Sequence, residues 1–354
     1  MKFRTYHIGM VLSVMAAAFT GCTLVDEDLT DCEADHEINY ELRLVTNLTT
    51  ELQTQLSTQV ELTAVATSIQ DHLKGVFTDH AHDVDLSFYD VVTPMPVLGH
   101  FTDIIDANQA SYTLNIPARE YMHLAVANIK NNDVVSLQDE TYCKSSRLVQ
   151  KKGSGDPEVI DSHTTGIFTA RHPMAVLDNK DESFNVNLYM ANCATALVLD
   201  NTAEGTPKIK DFKAFSTGFA SSFNIADSSY VFDSSPLVRA NTIPVEGDAE
   251  NLYVTVQFPS RDPNPKSKVV IETTDPFDSD YEKEVLWEWV VYVTLEDDTI
   301  TENRLSFSQP LRAGELRVVR VRILPDGTLS TDDTSVGVSV TLDWNQGGVH
   351  EIPL

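Results

Sequence analysis

Basic residues are scarce in this chain. Its 354 residues hold 25 Lys and Arg against 53 Asp and Glu, a formal net charge of −28. A surface of that sign repels nucleic acid and anionic lipid, so neither is expected as a partner. Cysteine is also sparse, with four residues: Cys22, Cys32, Cys143 and Cys193. None forms a CxxC pair, which removes the zinc ribbon and the thioredoxin-type redox site. The core must come from burial, not from covalent staples. No GxSxG, GxGxxG, P-loop or HExxH occurs, and each of those motifs carries a specific chemistry. Carboxylates are so numerous that any chosen pair would be arbitrary, so a glycosidase reading has no footing. The chain reads as a non-enzyme with no cofactor. Long apolar runs are missing too. The longest, Ile8 to Phe19, falls short of the ~20 residues a spanning helix needs.

What stands at the front is informative. Lys2 and Arg4 precede the apolar run, and Thr20-Gly21-Cys22 closes it. A basic start, a short apolar segment and small residues at its end describe a secretory signal peptide over residues 1–21. Gly21-Cys22 resembles the lipobox of bacterial lipoproteins, in which the Cys becomes the first mature residue and carries the lipid. Cys22 is the candidate lipidation site. It would turn a free chain into one held at a membrane, since two or more acyl chains anchor stably. Removing Lys2 and Arg4 leaves 23 basic and 53 acidic residues, a charge of −30 (25 − 2 = 23; 23 − 53 = −30). Residues 22–36 hold Asp26, Glu27, Asp28, Asp31, Glu33 and Asp35, a run that cannot bury itself and reads as a solvated tether. The run also resembles the acidic export signal of Bacteroidetes lipoproteins, which implies the outer face of the outer membrane. With Cys22 lipidated, Cys32, Cys143 and Cys193 allow one disulfide and leave one thiol over.

From Glu37 the pattern turns to strands. Ile38, Tyr40, Leu42 and Leu44 alternate with polar residues. Leu48, Leu52, Leu56, Val60 and Ala64 then recur every four residues, which predicts the one helix of the protein, ended by Gly75. Strands follow: Val84, Leu86 and Phe88 share a face, and two runs flank Pro117. "SFNVNLYMANCATALVLD" alternates through Phe184, Val186, Leu188 and Met190. Residues Val135 to Thr165 are polar and hold "KKGSGDP", read as a surface loop. "NTAEGTPK" after Asp200 collects turn residues and marks a boundary. The expected division is an N-terminal β-domain over 37–200 and a C-terminal one over 201–354, each of ordinary size. In the final strand Val336, Val338, Val340, Leu342 and Trp344 share a face. After it, "NQGG" should turn and "VHEIPL" should form a short strand. That strand either pairs within its own domain as a hairpin or is offered to a neighbour.

Three stretches invite a chemical reading. In "DHAHD", His80 and His82 would project together from a strand as metal ligands do, with Asp79 and Asp83 behind them. A solvated loop is the plainer reading. "DPFDSDYEKE" gathers Asp275, Asp278, Asp280, Glu282 and Glu284, an oxygen-rich loop without EF-hand spacing, and so more simply a hydrated turn. "LWEWVVY" puts Trp287 and Trp289 on one strand face, either an exposed aromatic patch for sugar or protein, or packing inside a sandwich.

Taken in order, "CTLVDEDLTDC", "NYELRLVTN" with its helix, "YTLNIPAREYMHLAVAN", "FKAFSTGFASSFNIADSSYVF", "VQFPSRD" and "VTLDWNQGGVHEIPL" resemble the FimB-type fimbrial anchor subunits of Bacteroidetes. The resemblance spans nearly the whole mature chain and is weakest between Val135 and Thr165. It implies a mainly β fold of two tandem transthyretin-like β-sandwich domains with one N-terminal helix. It further implies an outer-membrane lipoprotein that anchors a fimbrium, limits its polymerisation and docks a stalk subunit by β-strand pairing. Stalk subunits of that kind are cut after an Arg. Here no Lys or Arg lies between Cys22 and Arg43, and Arg43 falls within the expected first strand, where packing resists proteolysis. The alternative from the residues is a surface lipoprotein that binds glycan or host protein through its β-domains.

Overall fold

The computed structural model describes residues 35–43, 63–73, 83–91, 99–101, 111–138, 142–153, 158–177, 182–200, 205–245, 250–263, 284–330 and 338–341. Strands are numbered along the chain and gather into five sheets. The first sheet has the order β10 (Glu182–Asn187), β1 (Asp35–Arg43), β4 (Ser111–Pro117). β1 lies at its centre, antiparallel to β4 and parallel to β10. The tether expected up to residue 36 therefore gives way to a strand at Asp35. The second sheet has the order β11 (Tyr189–Met190), β9 (Phe168–Ala175), β5 (Glu120–Ala127), β2 (Asp85–Asp90), β3 (Gly99–Phe101).

The third sheet runs β17 (Asn241–Ile243), β18 (Glu250–Gln257), β12 (Cys193–Asp200), β21 (Glu315–Ile323), β22 (Leu329–Ser330), with β23 (Val338–Thr341) also paired to β21. The fourth runs β20 (Ile300–Phe307), β19 (Trp287–Leu295), β13 (Ile209–Thr217), β16 (Leu237–Arg239), β8 (Val159–Asp161). The fifth runs β15 (Ser229–Val231), β14 (Ser222–Asn224), β7 (Arg147–Gln150), β6 (Val135–Gln138). The chain is thus mainly β, with a single described α-helix, α1 (Thr63–Leu73).

Alternation along each strand decides which core it feeds. In β12, Ala194, Ala196 and Val198 enter one core while Cys193, Leu197 and Leu199 enter another. Both faces of this strand are buried, so it reads as an almost unbroken apolar run. The first core joins the first sheet, α1, and one face each of the second and third sheets. A second fills the space between the third and fourth sheets. A third lies between the second and fifth sheets, where Tyr89, Leu124 and Val126 meet Val135, Leu148 and Phe223.

Several expectations change. Of the expected helical stripe, Leu48, Leu52, Leu56 and Val60 lie outside the described residues, as does Gly75; Ala64 is exposed, and Val65, Ile69 and Leu73 are buried instead. A four-residue repeat drifts against the 3.6-residue turn, and tertiary packing selects the neighbouring stripe. That face of α1 lies over β17 and β18. The segment from Val135 to Thr165, read as a loop, holds β6, β7 and β8. β7 pairs with β14, and β8 with β16. The strand pairing does not follow a division after Asp200, because β12 pairs with β18 and β21. The single alternating run from Ser183 to Asp200 is cut into β10, β11 and β12, which serve three different sheets.

Candidate docking surface

Among the described residues no three His, Cys, Asp or Glu side chains gather as a metal site requires. His80, His82, Asp79, Asp275, Asp278, Asp280, Glu282, Cys22 and Cys32 lie outside the described residues. Asp83 is described, at φ 48°, and lines a cleft of about 530 Å³ with Asp85, Lys130, Asn132 and Lys151 over an apolar floor that includes Val84 and Val135. Glu284 faces Arg261 at 3.8 Å on the surface. Cys143 and Cys193 are both free thiols. Burial pushes the pKa of each upward, and that of Cys193 strongly, so neither is an activated nucleophile. Among the described residues no helix is long and apolar enough to cross a membrane.

The most polar buried group is a knot around His163. Asn192 Oδ1 accepts from the Ile167 amide at 2.6 Å, so the Asn192 amino group is the one that faces His163 Nδ1 at 2.8 Å. Nδ1 is therefore the acceptor and Nε2 carries the proton. The Gln150 side-chain amide lies 2.9 Å from Nε2 and must turn its oxygen to it. The His163 N–H donates to Val256 O and the Val256 N–H donates to the Ser162 hydroxyl, both at 2.8 Å, which ties the knot to β18. Burial holds the imidazole pKa down at about 3. His123 is held down to about 3 for the same reason; it stacks on Phe88 at 4.4 Å, with Nδ1 3.1 Å from Ser87 O. Both rings are structural, enclosed and uncharged at neutral pH.

The fourth sheet is the surface with the clearest capacity to bind. Trp287 and Trp289 share a face, but it is the inner one, and both are 0% exposed. This corrects the exposed-patch reading in favour of packing. Trp287 stacks on Phe307 at 4.0 Å and donates Nε1–H to Gln309 O at 2.9 Å. Trp289 donates to Thr195 Oγ1 at 3.2 Å. Both polar handles are satisfied, which lets indoles sit in a core. The alternation that turns the tryptophans inward turns Tyr292 outward. There it meets Phe215 of β13 edge to face at 6.2 Å, both half-buried. Sequence reasoning could have found Tyr292 by counting from Trp289; Phe215 needed the register Phe215↔Val290.

One end of this sheet is β20. Its residues alternate exposed and half-buried along the whole strand, from Ile300 to Phe307. Residues 296–299 join it to β19. Asp298 N donates to Leu295 O at 3.1 Å, Leu295 N donates to Thr299 O at 2.9 Å, and Asp298 sits at φ 67°. That geometry is a type I turn closed by a left-handed residue. The Asp297 carboxylate accepts from Thr299 N at 3.0 Å, which holds its pKa below the usual range. Pairing with β19 is continuous over Thr294↔Ile300 to Trp287↔Phe307, with no register shift. β20 contains no Pro, one of the devices by which edge strands are commonly blunted.

No protein-family model matches the chain. No curated protein matches it either. Solved structures do. A candidate adhesin from Bacteroides ovatus aligns with a TM-score of 0.50 and 12% identity over 81% of this chain and 87% of that one. A candidate polysaccharide-binding protein from Bacteroides thetaiotaomicron aligns with a TM-score of 0.50 and 9% identity over 83% and 93%. The fimbrial anchor protein Mfa2 from Porphyromonas gingivalis aligns at a TM-score of 0.47 and 12% identity over 84% and 95%. The chain shares its multi-sheet β fold with the first two over most of its length.

Proposed function

We propose that this chain is a surface lipoprotein, held in the outer membrane by lipid on Cys22, that anchors a fimbrium, limits its polymerisation and docks a stalk subunit by β-strand pairing. It is built of two transthyretin-like β-sandwich units, the second of which takes β12 as its own. The observation that carries the reading is the position of β1. No Lys or Arg separates Cys22 from Arg43. Arg43 is the last residue of β1, where it pairs with Asn187 of β10. β4 pairs with β1 only as far as Glu41, so β10 alone holds Arg43; backbone paired into a sheet is a poor protease substrate, so the tether keeps its link to the fold. The fold shared with a candidate adhesin from Bacteroides ovatus supports a surface role. The chain acts without catalysis. Chemical crosslinking on intact cells, followed by mass spectrometry, tests this. Expected are a lipid-modified Cys22 and crosslinks from the β-sheets to a second fimbrial-type subunit. A lipidated chain that crosslinks to no such subunit would overturn the anchor role.

One observation favours a second reading, glycan or host-protein binding. Phe215 and Tyr292 lie together on the outer face of the fourth sheet, and aromatic side chains suit both ligands. Loss of glycan or host-protein capture in Tyr292→Ala, with fimbrial crosslinks intact, would support it.

A further inference from the structure

We propose that two copies of this chain pair through β20, antiparallel about Asn303, to join their fourth sheets into one. The hairpin fixes which backbone groups are available. Leu295 and Thr299 face each other through the bond at 2.9 Å. Hydrogen-bonded pairs alternate along an antiparallel ladder, so Thr301, Asn303, Leu305 and Phe307 direct their backbone groups at β19. Ile300, Glu302, Arg304 and Ser306 direct theirs away from the sheet. Among the described residues β20 ends its sheet, and no strand lies beyond it.

A second β20 laid alongside about Asn303 sets Glu302 opposite Arg304 of the other copy, and Arg304 opposite its Glu302. Ile300 falls opposite Ser306 in the same way. All of these residues offer outward backbone groups, so each pair exchanges both N–H···O bonds. Their side chains share the outer face in both copies, where opposite charges attract across the pair. The neighbouring registers fail on the same grounds. A shift of two residues one way sets Glu302 against Glu302, and the other way Arg304 against Arg304. A shift of one sets outward groups against inward ones and exchanges the faces. The arrangement is isologous and closes at two copies, so no filament follows from it.

Within one copy Arg304 bonds Glu302 at 2.9 Å and Glu288 at 3.2 Å. It is flanked by more acid than base, and a second Glu302 extends the same network. Each copy carries a net charge of −28. The contact therefore forms against a long-range repulsion that ~0.1 M salt screens beyond about 10 Å. Self-association should strengthen as salt rises into that range, while the contacting charges stay inside the screening length.

Sedimentation of the full chain across a concentration series tests this. The expected result is a monomer–dimer equilibrium. Glu302→Arg or Arg304→Glu alone places like charges opposite at both ends and should weaken association by about tenfold. The double variant E302R/R304E should restore it. These side chains are exposed, so melting curves should show all variants folded. Hydrogen exchange should slow at the amides of Ile300, Glu302, Arg304 and Ser306 as concentration rises. A chain that stays monomeric throughout overturns the proposal. So does a dimer indifferent to the single reversals, or protection of those amides only when another fimbrial subunit is added.

Discussion

Replacing Trp287 by Ala separates a core indole from a surface one. The ring is 0% exposed, stacked on Phe307 at 4.0 Å with an interplanar angle of 12°, and beside Phe219 at 5.7 Å. The Arg317 guanidinium lies 6.0 Å from its centroid. Truncating a buried Trp to Ala costs about 3–5 kcal/mol, because the cavity cannot fully collapse. The Gln309 carbonyl also loses its donor at 2.9 Å, a further ~1 kcal/mol unless water replaces it. Against a typical total stability of about 5–15 kcal/mol, that loss is large. Trp287→Phe keeps an aromatic face toward Phe307 but loses the N–H bond and some volume, and should cost about 1–3 kcal/mol. Urea unfolding followed by far-ultraviolet circular dichroism reads both without relying on the removed fluorophore. A Trp287→Ala loss below about 0.5 kcal/mol, the range of ordinary surface substitutions, would refute the packing argument.

Stability should depend on pH through His163 and His123. Their folded pKa of about 3 lies below the 6.5 of the unfolded state, so the unfolded chain binds more protons between those values. Stability is then full above pH 6.5 and falls as pH drops toward 3, by about 2 kcal/mol per ring at pH 5; His163→Gln should flatten part of that slope in melting curves taken from pH 7 to 5. Asn192→Ala strands the Ile167 amide and His163 Nδ1, and should cost about 2–4 kcal/mol by urea titration. Gly218→Ala should destabilise by roughly 2 kcal/mol or more. At φ 91° its added Cβ would lie 2.5 Å from Leu286 O and 2.6 Å from Trp287 Cα, and thermal unfolding would show the shift.

The period of two was legible along strands even where it did not tell which faces are buried. Val84, Leu86 and Phe88 were read onto one face and are buried at 1%, 0% and 1%. What the pattern did not show is burial of the second face. Tyr89 and Ser87 of the same strand are also enclosed, because the second sheet packs on both sides. The Val135–Thr165 stretch carries too little apolar residue to announce strands. β6 and β7 pair with each other, but the partners that tie them and β8 into sheets are β14 and β16, remote in sequence, and non-local partners leave no local periodicity.

By itself the sequence determined the negative surface, the candidate Cys22, the mainly β character and the shared face of Trp287 and Trp289. These follow from composition, a short local pattern or the period of two along a strand, none of which needs distant contacts. Only the tertiary structure decided which way that face points. Trp287 and Trp289 turn inward because the third sheet covers them, and Tyr292 with Phe215 turns outward for want of such a cover among the described residues. It likewise assigned Cys193–Asp200 to a sheet whose other strands lie more than forty residues away. Burial on both sides of that strand is a property of the assembled layers, and no single segment encodes it.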